Sequence, residues 1–168
     1  MAKYIKHEMS DLNGTGEKRV YYRMKIDILT DEILDELIAV WEKSVRSSHH
    51  FLKEEDIEYF KPLIRDQYFH AVELFVIRKE NSQIAAFMGL SDDMIEMLFV
   101  LPEEQGHGFG KALVNYAVNK RGIHKVDVNE DNEQAYRFYS HMGYKVIGRD
   151  ATDSTGKPYP ILHLQLSQ

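Results

Sequence analysis

The chain has no cysteine among its 168 residues. That absence excludes disulfides, cysteine nucleophiles and thiolate metal sites, and it fits a reducing compartment. No window approaches the roughly 18 consecutive apolar residues that a membrane-spanning helix requires. The opening residues, Met1 to Glu8, lack the apolar core of a signal peptide, so a cytoplasmic location is expected. An excess of positive charge is also missing. The net charge is −6, and duplex nucleic acid or anionic membrane calls for clustered Lys and Arg, so neither is an expected partner. A cationic or amine-bearing partner suits this balance better. The eight histidines include the adjacent pair His49 and His50, with the others scattered and none at His-x-x-x-His spacing. Without cysteine, that pattern predicts no metal site. No Gly-x-Ser-x-Gly nucleophile elbow is present either.

What remains is enough for one domain with its own core. Residues 1–19 read as an N-terminal extension or arm, with a turn cluster from Asp11 to Glu17, and residues 20–168 read as the domain. A strand over 20–28 precedes a helix that Thr30 caps and that runs to about Arg46. Its apolar stripe is Leu34, Leu37, Ile38, Trp41 and Val45. A second helix is expected from Glu54 to Phe69, interrupted near Pro62. Strand-like runs follow at 74–78, 83–90 and 94–101. After a glycine-rich loop, a helix reaches about Arg121 and a strand covers 125–128. Asp131 and Gln134 read as a capping box for a helix over 132–142, which Gly143 ends. Strands over 144–148 and 159–166 complete the chain. Hairpins on one side and strand–helix–strand units on the other predict a single α/β (α+β) domain. Its sheet is mixed and mostly antiparallel, with about seven strands and about four helices.

The loop Gln105-Gly106-His107-Gly108-Phe109-Gly110 carries the most information. Glycines at alternate positions leave backbone N–H groups uncovered at the positive end of a helix, which is an arrangement that binds phosphate. A Walker loop is excluded, because Ala112 follows Lys111 and Gln105 stands five before Gly110. A dinucleotide fingerprint is excluded because its third glycine comes one position too early.

The pattern Gln-x-x-Gly-x-Gly, filled by Gln105, Gly108 and Gly110 after Leu98-x-Val100-x-Pro102, resembles the GNAT superfamily of acetyl-CoA-dependent N-acetyltransferases. So does Asn132-x-x-Ala135-x-x-Phe138-Tyr139-x-x-x-Gly143-Tyr144 further on. The resemblance covers about residues 20 to 166. Within the superfamily the chain is most similar to small bacterial YjaB-type members, through Ser44-Val45, Ser48-His49-x-Phe51-Leu52 and Gly156-Lys157-Pro158-Tyr159-Pro160.

The resemblance implies a GNAT-type fold and acetyl transfer to a primary amine by direct nucleophilic attack. Acetyl-CoA would be the co-substrate, and the acceptor a small molecule or a protein amine. The pyrophosphate would sit on the amides of Gln105, Gly106, His107, Gly108, Phe109, Gly110 and Lys111. The strand backbone at Leu98, Phe99 and Val100 would pair with the pantetheine arm, beside a splay between this strand and the one at 126–128. Asn132 would contact the same arm, and Tyr139 would be the acid beside the sulfur. Seven residues apart, Asn132 and Tyr139 share nearly one helix face.

The base is less defined. Many members carry a glutamate where this chain has Met94. Glu96, two residues on and on the same strand face by alternation, is one candidate. His49 and His50, in the loop between the first two helices, are others. Asp92, Asp93 and Glu96 could form a negative rim for a cationic amine, although Asp92-Asp93 reads better as a solvated turn. The alternative to an enzyme is a non-catalytic CoA-binding sensor or protein-interaction module. A homodimer through end strands or the arm stands beside a monomer.

Overall fold

The computed structural model describes residues 5–7 and 21–167. The expected turn at 11–17 lies outside them. The strands are β1 (Ile5–His7), β2 (Tyr21–Ile26), β3 (Glu73–Lys79), β4 (Ile84–Leu90), β5 (Met94–Val100), β6 (Lys125–Asn129), β7 (Tyr144–Asp150) and β8 (Ile161–Leu166). They form one eight-stranded sheet in the order β1-β2-β3-β4-β5-β6-β8-β7. Among the described residues, only β5 and β6 pair in parallel. The mixed, mostly antiparallel sheet is therefore as expected, and the additional strand is β1 on the edge beside β2.

Four α-helices cover the sheet: α1 (Asp31–Ser48), α2 (Glu54–Asp66), α3 (Phe109–Arg121) and α4 (Glu133–His141). One core cluster joins the apolar stripe of α1 and Ile57 and Ile64 of α2 to Leu74, Val76 and Phe87. A second joins Leu113, Val114 and Ala117 of α3 and Tyr139 of α4 to Phe75, Met88 and Leu164. The two clusters lie on opposite faces of the sheet. This explains why β4 is buried at every position and reads as a continuous apolar run.

Thr30 caps α1 as expected, its hydroxyl accepting from the Ile33 N–H at 3.3 Å. Two helix boundaries differ from the sequence reading. Pro62 lies inside α2 without breaking it. Its missing N–H would have served Glu58, which is exposed, so water can satisfy that carbonyl. The interruption comes instead at Gln67, before a short 3₁₀ turn, Tyr68–Ala71. The start of α4 uses no Asp131–Gln134 box. Asn132 is the cap, and its Oδ1 accepts from the Ala135 N–H at 3.1 Å. Gly143, with φ at +94°, lets the chain leave α4 as expected. No helix among the described residues is long and apolar enough to cross a membrane.

Candidate active site

β5 and β6 pair only at Met94–Lys125 and Ile95–Val126. Beyond those two pairs the strands separate, and this is the splay that the resemblance required. A cavity of about 520 Å³ occupies the split and is lined from both sides of the sheet. Leu98, Val100, Val128 and Phe138 come from the face that carries α3 and α4. Met97 and Phe99, which pack with the α1–α2 cluster, come from the other.

Backbone polarity follows from the β4–β5 register. Leu101 N–H donates to Ala85 C=O at 2.8 Å, and the register continues through Ala86–Val100, Phe87–Phe99 and Met88–Leu98. Antiparallel strands alternate the direction of their polar groups, so Leu98 and Val100 turn their N–H and C=O groups into the split. Phe99 turns its own toward β4 and contributes its ring instead. The Val100 carbonyl accepts from the buried Ser44 hydroxyl at 2.7 Å.

The glycine loop lies along the same cavity. Gly106 and Gly108 have φ of +83° and +79°, which a side chain would strain. A Cβ on Gly110 would stand 3.3 Å from Phe138 Cζ. Gly108 caps α3 with no side chain, so the first-turn amides of Phe109, Gly110 and Lys111 remain for an anion. Phe109 itself is buried against Tyr21, with ring centroids 4.5 Å apart. Only its amide can serve a ligand, while its ring anchors the loop. Gln105 is tied to α4, accepting from Gln134 Nε2 at 3.2 Å. His107 Nδ1 faces the buried Glu104 at 3.3 Å, and Lys79 balances that carboxylate at 2.7 Å. Lys111 is exposed at the cavity rim. The uncapped helix end and the close-packed glycine fit the pyrophosphate end of acetyl-CoA.

Across the split, Tyr139 is 4% exposed and lines the cavity. Burial pushes its phenol far above the usual range, with Tyr144 alongside adding to the effect. Asn132 and Tyr139 both reach the cavity, as their spacing predicted.

His49 meets Asn132 directly, with Asn132 Nδ2 lying 3.3 Å from His49 Nε2. On its other side, His49 Nδ1 is 2.7 Å from Ser48 Oγ, which donates to the Ser44 carbonyl at 2.8 Å. These partners assign the imidazole proton to Nδ1. Burial, with His50 next to it, pushes the His49 pKa down to about 4. His50 is exposed and does not line the cavity.

Glu96 lines the cavity mouth, but strand alternation does not place it there. Gly89 pairs with Met97 and Leu90 with Ile95, so Glu96 is the extra residue of a β-bulge. Its carboxylate accepts from Ser91 Oγ at 2.8 Å. The first turn of α2 is also tied to the segment before β8. Asp56 accepts from the Tyr159 hydroxyl, and Lys157 Nζ lies 2.9 Å from it. The Tyr159 and Lys157 hydrogen bonds hold the Asp56 carboxyl below its ordinary range.

The sequence reading assigned no role to Ser44, Ser48 or Asp127. Ser44 had a usable signal: it occupies the buried stripe of α1, three residues after Trp41. Among the described residues, no group of three or more His, Asp or Glu side chains gathers to hold a metal ion.

Comparison with known proteins agrees with this geometry. The family description of an acetyltransferase (GNAT) domain matches residues 70–146. Peptidyl-lysine N-acetyltransferase YjaB of Escherichia coli is 39% identical over 130 residues, spanning 77% of this chain and 88% of that protein. The solution structure of apo-form YjaB from the same organism superposes with a TM-score of 0.76 at 35% identity, covering 87% of this chain and 97% of that one. The PaiA N-acetyltransferase of Thermoplasma acidophilum, in complex with coenzyme A, shares the fold with a TM-score of 0.64 at 20% identity, covering 83% and 96%. On the likeness to YjaB, in sequence and in structure, the chain belongs to the GNAT family of N-acetyltransferases.

Proposed function

We propose that the protein acetylates a primary amine, the side chain of a peptidyl lysine, by direct attack on acetyl-CoA in the β5–β6 split. The observation that carries this reading is the split itself. An uncapped helix end lies along it, Tyr139 lines it, and residues from both faces of the sheet form its walls. The first-turn amides of α3 and the loop from Gln105 to Lys111 hold the pyrophosphate. The inward-turned groups of Leu98 and Val100 continue β5 onto the pantetheine arm, and Asn132 closes over it. Bound there, acetyl-CoA supplies an acetyl thioester.

Tyr139 keeps its proton, because burial opposes the phenolate. It therefore donates a hydrogen bond to the sulfur as charge develops there. His49 does not suit the base role. A group with a pKa near 4 is a weak proton acceptor, and its Nε2 lone pair is already directed at Asn132. His49 serves instead to hold Asn132. Glu96, at the mouth, draws in the ammonium group of the acceptor. The YjaB relative is a peptidyl-lysine N-acetyltransferase, which supports lysine as that acceptor, and Glu96 and Asp127 add negative charge to the cavity lining.

The test compares a lysine-containing peptide with a polyamine and an aminoglycoside, measuring thiol release from acetyl-CoA. Release is expected with the peptide. Tight coenzyme A binding by calorimetry without release for any amine would overturn the reading in favour of a CoA-binding sensor.

A further inference from the structure

A carboxylate–imidazole–carboxylate row leads away from the split. Asp127 lines the cavity from β6. His163 on β8 is its direct cross-strand partner, and His163 Nδ1 lies 2.6 Å from Asp127 Oδ1. His163 Nε2 lies 3.0 Å from Asp150 Oδ2 on β7, and the Asp150 side chain is 67% exposed. The neighbours of these residues, Val126, Val128, Leu162 and Leu164, pack with the α3–α4 core. Strand alternation therefore puts Asp127 and His163 on the opposite face, the one that Met97 and Phe99 share.

The row has a built floor. Gly148 is opposite His163 after a β7 bulge, and a Cβ on Gly148 would come within 3.3 Å of the ring. The charged groups facing His163 are Asp127 from β6 and Asp150 from β7. Of the nearby cations, Lys125 points to Asp93 at 3.9 Å, Arg149 pairs with Glu130 at 2.7 Å, and Lys145 lies two residues along, opposite Gln165.

We infer that Asp127 accepts the proton of the acceptor ammonium and that His163 and Asp150 pass it to solvent. This inference rests on the acceptor reading above. The ammonium N–H bond breaks and an Oδ–H bond forms on Asp127. The proton then moves to Nδ1 of neutral His163, whose Nε2 proton leaves through Asp150 to water. One proton has gone from substrate to solvent, and the amine retains its lone pair. Glu96 is exposed, accepts from Ser91 Oγ and stands outside this row. The hydrogen bond to Asp127, opposed by partial burial and reinforced by Asp150, raises the His163 pKa above its ordinary value. The ring can therefore accept a proton near neutrality. Asp127 is the group that meets substrate, and His163 is a positioning and relay residue behind it.

The experiment titrates the His163 ring by NMR in the full chain, alongside kinetics with acetyl-CoA and a lysine peptide. A midpoint above 6.5 is expected, lowered by Asp150→Asn. The kcat/KM for the peptide should rise through the same midpoint. His163→Gln and Asp127→Asn should each lower kcat at least about 10²-fold, the low end of general-base effects, and lose that pH limb while KM for acetyl-CoA holds. Glu96→Gln should instead raise KM for the peptide and keep the limb. If the wild type is active and His163→Gln matches it in kcat and pH profile, or if the ring titrates at or below 6.5, the relay is wrong and the acceptor reading stands. If the wild type binds coenzyme A and acetylates no amine, both fall together.

Discussion

Tyr139 combines two properties that pull against each other. Its depth in the split keeps it a phenol, and the same depth makes complete proton loss costly. Its contribution is then a hydrogen bond to developing charge, which Tyr139→Phe removes without opening a cavity. That variant should fold, bind coenzyme A with unchanged affinity and lose about 10²-fold in kcat. Unchanged kcat in a steady-state assay would remove Tyr139 from the chemistry. Its place was legible through the resemblance to the GNAT pattern, and the seven-residue spacing agrees by setting Tyr139 on nearly the same face as Asn132. The environment of Glu96 was not. Counting alternate residues along β5 assumes an uninterrupted ladder, and the bulge at Glu96 adds a residue that no local pattern marks. Asp127 was hidden for a related reason. A polar residue between two valines reads as an ordinary solvent-facing strand position until β5 is seen to turn away from β6 beside it.

At the level of elements, α4 starts on a residue with two duties. Asn132 Oδ1 caps the helix, and Nδ2 holds His49. Asn132→Asp separates them. The carboxylate still accepts from Ala135, and an anion at a helix N-terminus is favourable, so α4 and the melting temperature should be retained. The donor to His49 Nε2 is lost, and a negative charge takes its place. An anion beside an imidazole favours the cation, so the His49 midpoint should rise from about 4. An NMR titration showing no rise would mean that the two side chains do not meet in solution. Asn132→Ala should cost about 1 kcal/mol of stability from the lost cap. The expected capping box at Asp131 and Gln134 was one register early. Both Asp131 and Asn132 are good caps, and choosing between them takes the position of β6, which tertiary pairing sets. Pro62 misled similarly, because the cost of a missing N–H depends on whether the orphaned carbonyl meets water.

Across the whole molecule, the sequence defined the layers well. Hairpins and strand–helix–strand units specified the mixed sheet, while the covering of both its faces shows in β4, buried at every position. Ion pairs between elements were beyond it. Glu73 of β3 receives Arg121 from the end of α3, at 2.8 and 3.0 Å, and Lys25 from β2, at 3.2 Å. The Arg121 hydrogen bonds, opposed by partial burial and aided by Lys25, lower its pKa from 4.5 to about 2. A carboxyl whose folded pKa is depressed stabilises the fold above its unfolded value. That contribution fades as pH falls from about 4.5 to 2. Glu73→Gln should therefore lower stability at pH 7 slightly, by less than about 1 kcal/mol for so exposed a group. The variant and the wild type should converge near pH 2. A constant gap across the acid limb in thermal melts would exclude this origin.

The two residue pairs that join β5 to β6 have a thermodynamic corollary. They are the narrowest crossing in the sheet, so parting β6, β8 and β7 with α4 from the remainder breaks little strand pairing, and the shared core with α3 is what resists it. A ligand lodged between the two portions must release before that opening occurs. Saturating coenzyme A should then slow hydrogen–deuterium exchange of amides in β6 and β8 far more than those in β3, with about 2.7 kcal/mol of added protection at a hundredfold excess over Kd. Catalysis and mechanical cohesion would thus draw on the same gap. The enzyme is least coherent when empty, and its substrate is the missing crosspiece.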